Sequence, residues 1–278
     1  KAKGYHLYMD LHYSDFWADP GKQFIPKAWA DYSLDELADA VYDFTCHCLN
    51  TAIREGVAPE MIQVGNEITN GILWPIGKLE VDGKRGNYES LTKLPSAGAK
   101  ACREILPEAK IMLHLERSND KEVYQEFFSE MERAGVEFDV IGASYYPFWH
   151  GTLENLSQVL TNIAETYGKK VMFWADMIYN YPQSYHMVPK DAVALEWGYE
   201  LIQSQRMTDH CIAYRDAGVR YYVCPSCNTH GSLTSRMDVT TFNLRTCAEL
   251  AVEYGAEGYL VTDWGDGGHY QQWCWSMQ

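Results

Sequence analysis

Apolar runs of strand length recur at residues 5–11, 61–64, 110–115, 139–144, 171–175, 192–196, 220–224 and 258–261, with helix-length stretches between them. These runs are near-continuous rather than alternating, which is the pattern of strands covered on both faces, as parallel pairing with flanking helices produces. Eight such units predict an α/β fold, a single (β/α)8 TIM barrel over residues 1–278. Helix signals agree with the strand pattern. Ser33-Leu-Asp-Glu36 is a capping box opening a run to about Gly56, Asn119-Asp120 can cap a helix through Arg133, and the stretch from Thr152 ends on Gly168. Residues 179–189 carry two prolines and little helical periodicity, so a loop or short helix is expected there. Internal repeats, low-complexity tracts and linkers are absent from the sequence.

In a barrel of this kind, chemistry sits where strands end and the following loops begin. The polar and aromatic residues just past each run are therefore the candidates. They are His12, Asp15, Trp17 and Asp19; Asn66 and Glu67; His114 and Glu116; Tyr145, Tyr146 and Trp149; Asp176; Trp197 and Tyr199; Asn228 and His230; and Asp263, Trp264 and Asp266.

Composition narrows the partners. The 38 acidic and 23 basic side chains give a formal charge of −15, which repels phosphate backbones and leaves neutral polysaccharide unaffected. Aromatic residues make up 14% of the chain, including 9 Trp and 20 Tyr, and sugar rings present apolar faces that stack on such rings. No uncharged apolar run approaches the roughly 18 residues of a membrane span, so neither nucleic acid nor membrane is an expected partner. Cys224-Pro-Ser-Cys227 has redox or zinc spacing without the second pair a metal site needs and reads as a strand end, while Cys46-His-Cys48 falls inside an amphipathic helix. No metal and no cofactor is expected. The sequence starts at Lys1 with no basic-then-apolar leader.

Glycosidic bonds are cleaved between two carboxyl groups, one protonating the leaving oxygen and the other attacking carbon or activating water. Glu67, directly after Asn66 at a strand end, is the candidate acid/base, and the Asn66 amide can hold a sugar hydroxyl. Its partner should come from a strand three or four further round the ring. Asp176, ending the fifth run in Trp174-Ala-Asp176, fits better than Glu196 of the sixth, and capping the following segment is the competing role for it. A carboxyl separation of about 5 to 5.5 Å would give retention and roughly 6.5 to 9.5 Å inversion.

His12-Tyr-Ser-Asp-Phe-Trp-Ala-Asp-Pro20, Gln63-Val-Gly-Asn-Glu-Ile68, Gly71-Ile-Leu-Trp-Pro75, Met112-Leu-His114 and Ile141-Gly-Ala-Ser-Tyr-Tyr-Pro-Phe-Trp-His-Gly-Thr-Leu153 resemble glycoside hydrolase family 53, the endo-β-1,4-galactanases, over residues 1–170. The resemblance implies that Glu67 is the general acid/base and that Tyr145 or Tyr146 lies nearest the nucleophile. It also places the start of the chain before the family's third strand, and it implies a secreted or periplasmic location. The family's nucleophile strand, of the form Val-Met-Val-Val-Glu-Thr, is replaced here by Val171-Met-Phe-Trp-Ala-Asp176.

Residues 171–278, through Phe173-Trp-Ala-Asp-Met-Ile178, Leu195-Glu-Trp-Gly-Tyr199, Val223-Cys-Pro-Ser-Cys227 and Thr262-Asp-Trp-Gly-Asp-Gly-Gly-His269, resemble the last four strands of family 20-like β-N-acetylhexosaminidases. The adjacent Asp-Glu pair of those enzymes has no counterpart, since Tyr145-Tyr-Pro-Phe148 stands in its place. Together the resemblances imply a chimera of two half-barrels joined near Gly168 to Val171.

The expectation is a monomeric glycosidase acting on β-1,4-galactan-like polysaccharide or oligosaccharide. Glu67 and Asp176 are the expected catalytic residues, and His12, Asp15, Trp17, Asn66, Trp74, His114, Tyr145, Trp149 and Trp264 the expected substrate contacts. The rival readings are a non-catalytic carbohydrate-binding or engineered barrel that has lost the nucleophile, and a β-N-acetylhexosaminidase-like activity.

Overall fold

The structure, a computed structural model, describes residues 7–199, 203–227 and 236–262. The chain divides into two compact units, one of residues 1–144 with 165–170 and the other of residues 145–164 with 171–278. The sequence alone shows no such division.

In the first unit, β1 (Tyr8–Leu11) and β2 (Met61–Val64) are joined through α1 (Leu34–Arg54). A short antiparallel pair, β3 (Glu80–Val81) and β4 (Lys84–Arg85), and then α2 (Tyr88–Ile105) lead to β5 (Lys110–Leu115), and α3 (Lys121–Arg133) leads to β6 (Val140–Ala143). β1, β2, β5 and β6 pair in parallel in that order, with Leu11 opposite Val64, Gln63 opposite Met112 and Leu115 opposite Ala143. This register brings the residues that follow β1, β2, β5 and β6 to one edge of the sheet.

The expected capping box is present: Ser33 N donates to Glu36 Oε2 at 2.8 Å and Glu36 N donates to Ser33 Oγ at 3.4 Å. Asp120 caps α3 through a 3.1 Å bond from Val123 N. The helices bury one stripe against the sheet, through Leu37, Val41 and Leu49 of α1, Leu91 and Leu94 of α2, and Phe127, Phe128 and Met131 of α3. Phe128 anchors an aromatic cluster, its ring centroid 5.2 Å from Phe127, 5.3 Å from Phe138 and 5.7 Å from Tyr167.

The second unit begins with the single turn α4 (Pro147–His150). α5 (Leu153–Tyr167) and β7 (Lys170–Trp174) straddle the division. The segment between the fifth and sixth runs forms two 3-10 turns, Ile178–Asn180 and Pro182–Met187, in keeping with its prolines. β8 (Ala192–Trp197), α6 (Gln203–Ala217), β9 (Arg220–Cys224), α7 (Met237–Glu253) and β10 (Gly258–Tyr259) follow, and β7, β8, β9 and β10 pair in parallel in sequence order. All eight expected runs form parallel strands, with ends displaced by up to a few residues. Cys46 and Cys48 lie within α1, and Cys224 ends β9 with its thiol buried. No helix among the described residues is long and apolar enough to cross a membrane.

Candidate active site

β2 ends at Val64, and Gly65 at φ +80° turns the chain sharply. A Cβ there would sit 2.6 Å from Ile68 Cγ2, so only glycine fits. Two residues later Glu67 itself adopts φ +51°, a left-handed conformation that costs a non-glycine residue about 1–3 kcal/mol and is held by its surroundings. Ile68 N donates to His114 O at 2.9 Å. Thr69 is tied to the end of β5, its hydroxyl donating to Glu116 and accepting from Glu116 N at 3.2 Å.

Glu67 is 8% exposed, and its carboxyl is pushed up to about 7. Burial is the main cause. Ser144 acts against it, the charges of Glu116 and Asp19 add to the rise, and His12 offsets part of it. Glu116 is also buried, and loss of water raises its carboxyl despite the bonds from Thr69 and Arg117.

Asn66, directly before Glu67 in the chain, is buried. Its Nδ2 donates to Ala18 O at 2.9 Å, and its Oδ1 faces His114 Nδ1 at 2.8 Å and Gln63 Nε2 at 3.3 Å. An Asn amide has two hydrogens and Ala18 takes one of them. His114 is 2% exposed, and its other ring nitrogen meets Ser144 Oγ at 3.0 Å. Burial drops its imidazole to about 4. The sequence alone puts His114 in contact with ligand, whereas the structure engages both ring nitrogens with protein groups.

His12 is half-buried. Burial pulls its imidazole down, but the Asp10 carboxylate 3.1 Å from Nε2 outweighs this, and the net shift is upward. Its Nδ1 accepts from Ala18 N at 2.9 Å, as an unprotonated nitrogen would. Asp15 is exposed and accepts from Lys27 N at 2.7 Å, which fixes the loop. Trp17 is 40% exposed with Lys22 Nζ 4.8 Å from its ring centroid. Trp74 donates Nε1 to Asn70 O at 3.0 Å, and its ring carries Lys78 Nζ at 4.7 Å.

The remaining predicted residues belong to the second unit. Tyr145 is buried with its hydroxyl donating to Gly151 O at 3.0 Å, and burial raises it to about 12. Trp149 is 75% exposed, edge-on to Tyr146 at 5.6 Å. Asp176 follows β7 and is buried, with no hydrogen-bond partner for Oδ1 among the described residues. Burial and the charge of Glu196 push its carboxyl up to about 7, against a bond from Trp197. Glu196 faces inward, accepting from Tyr214 at 2.6 Å, with His210 Nδ1 at 2.8 Å. Trp264 lies outside the described residues, as do Asn228, His230, Asp263 and Asp266. No cluster of three or more metal-ligating side chains occurs among the described residues.

Sequence reasoning passes over Ser144, Gln63 and Thr69 as participants. A weak signal exists for Gln63, a buried polar residue between apolar neighbours in β2.

Parallel strands joined by helices define an α/β protein, and comparison with known proteins gives the family. The family model described as glycosyl hydrolase family 53 matches residues 1–204, and the chain belongs to that family. An endo-beta-1,4-galactanase of Bacillus subtilis is 41% identical over 180 residues, which is 65% of this chain and 39% of that protein. A probable arabinogalactan endo-beta-1,4-galactanase A of Aspergillus oryzae is 39% identical over 178 residues, 61% of this chain and 50% of that protein. The chain thus spans half or less of the length of these curated relatives. Among solved structures, the GH53 catalytic domain of Ignisphaera aggregans matches 95% of this chain and 63% of its own at 29% identity, with a TM-score of 0.58. A structure of fungal beta-1,4-galactanases shares the fold at 24% identity, a TM-score of 0.58, and coverage of 95% of this chain and 68% of its own.

Proposed function

We propose that the protein is a glycoside hydrolase cleaving β-1,4-galactan-like polysaccharide, with Glu67 as general acid and then general base. The observation that carries this reading is Glu67 itself, a buried carboxyl raised to about 7 at a strand end, in a chain of family 53. At neutral pH about half of such groups hold the proton that a departing glycosidic oxygen needs. Exposed Trp17 and half-buried Trp74 are stacking surfaces for sugar rings. The net charge of −15 is indifferent to a neutral polymer and opposes nucleic acid as a partner. Closure of the eight strands into one (β/α)8 barrel, and a monomeric state, belong to this proposal.

Asp176 is the proposed second carboxyl. A carboxyl pushed up to about 7 attacks carbon only once its proton has left, and the acid Glu67 must still hold its own, so hydrolysis through the pair would peak near pH 7 and fall on either side. The family match runs across Gly168–Val171 to residue 204 and favours a single family through the expected junction. A hexosaminidase-like origin is retained in this reading only for the residues after 204.

Reducing-sugar release from β-1,4-galactan, β-1,4-xylan and a chromogenic N-acetylglucosaminide tests the proposal. Release from galactan alone is the expected result. Turnover of the N-acetylglucosaminide would move the assignment to the second half, and retention of galactan without any release would leave a binding protein.

A further inference from the structure

Glu67 keeps its left-handed φ of +51° between two peptide groups, each bonded to a group outside the turn. The peptide that follows it donates Ile68 N to His114 O at 2.9 Å. The peptide that precedes it turns its carbonyl, Asn66 O, toward Gln23 Nε2 at 2.7 Å, and no other donor reaches that oxygen among the described residues. A peptide group is planar, and the φ of Glu67 is rotation about the bond leaving this one. The bond from Gln23 therefore fixes the plane from which the Glu67 side chain is aimed. Gln23 is 3% exposed and gives its second amide hydrogen to Asp19 O at 3.1 Å. Both partners are backbone carbonyls, which only accept, so the amide orientation is fixed.

The same residue meets the two tryptophan segments. Its backbone carbonyl accepts from Trp74 N at 2.6 Å, and Lys22, directly before it, places Nζ 4.8 Å from the Trp17 ring centroid. Ala18, directly after Trp17, donates to His12 Nδ1 and accepts from Asn66 Nδ2, both at 2.9 Å. All of these residues belong to the first unit. None of these contacts uses the Gln23 amide, and Asp19 O also accepts from Lys22 N at 3.0 Å. Removing the amide leaves Asn66 O as the one carbonyl without a donor among the described residues.

We propose that Gln23 is a positioning residue for the acid/base: its amide holds the Asn66–Glu67 peptide in the plane that left-handed Glu67 requires, in register with the Trp17 and Trp74 segments bonded to the same stretch of chain. Two hydrogens on one planar group are needed, one for each carbonyl. Methionine has none, asparagine is a methylene short, and a carboxyl has one hydrogen only when protonated. This inference rests on the proposed hydrolase reading for the use made of Glu67, and the geometry stands apart from it.

The test pairs a backbone readout with a kinetic one. In the full labelled chain, the 13Cα and 13Cβ shifts of Glu67 should mark a left-handed residue. In Gln23→Met they should move away from the wild-type values while those of α1 and α3 stay in place. On β-1,4-galactan the same variant should lose about 10- to 100-fold in kcat with KM within about threefold, as expected when a reacting group is misplaced by up to about 1 Å and the sugar platforms are kept. At pH 5, Gln23→Glu should exceed Gln23→Met severalfold in kcat, because its protonated carboxyl can still donate to Asn66 O. Should Gln23→Met fail to fold, Gln23→Asn gives the same readings. Wild-type Glu67 shifts in the folded variant overturn the proposal, and so does a raised KM with kcat retained, or equal rates for Gln23→Glu and Gln23→Met at pH 5. Absence of galactan release by the wild type would remove the hydrolase reading, while the Glu67 shifts would still decide whether Gln23 holds the turn.

Discussion

Among single residues, the decisive one is a carboxyl whose environment opposes its charge. Glu67 rises from an ordinary value of 4.5 to about 7, so the native state holds the proton more tightly than the unfolded chain does. The stability this gives is complete below about 4.5 and is lost as pH climbs through 7. A shift of this size corresponds to about 3 kcal/mol at a buried site. Glu67→Gln, which cannot ionise, should therefore gain stability over the wild type as pH goes from 5 to 8, measured by denaturant unfolding at both values. Equal differences at the two pH values would show that Glu67 is not held protonated. Asn66 and Glu67 are legible in the sequence because a polar pair breaks an apolar run at a strand end. Ser144 and Gln63 are not, since each is a lone polar residue within or beside a strand, and its partner is supplied by a neighbouring strand some 30 to 50 positions away.

Among the elements, the eight parallel strands can be read from sequence because burial on both faces leaves an unbroken apolar run. β3 and β4 cannot: each has two residues, too short for any period, and only Asp82-Gly83, at φ +52° and +71°, marks the turn between them. The bounds of α2 are also hidden, since Pro95 interrupts its hydrogen bonding and the helix continues because its buried face is packed. α3 contributes most visibly through Phe128, fully buried among Phe127, Phe138 and Tyr167. Phe128→Ala should cost about 3–5 kcal/mol in denaturant unfolding, and a loss under 1 kcal/mol would mean that the cluster is not closely packed.

Across the chain as a whole, the sequence motifs of family 53 end near residue 170, while the family model continues to residue 204. The expected family motif is interrupted just past β7, which ends at Trp174, where the chain reads Ala175-Asp176. The two units each present parallel strands in sequence order, and the one carrying Glu67 also holds Asn66, His114 and Ser144. The role of Glu67 as acid/base is best decided by comparing kcat/KM on β-1,4-galactan between the wild type and Glu67→Gln, with unfolding curves confirming that both are folded. Measurable wild-type hydrolysis and a fall of about 10²–10⁴-fold in the variant are expected. Equal rates in the two proteins would remove Glu67 from the chemistry.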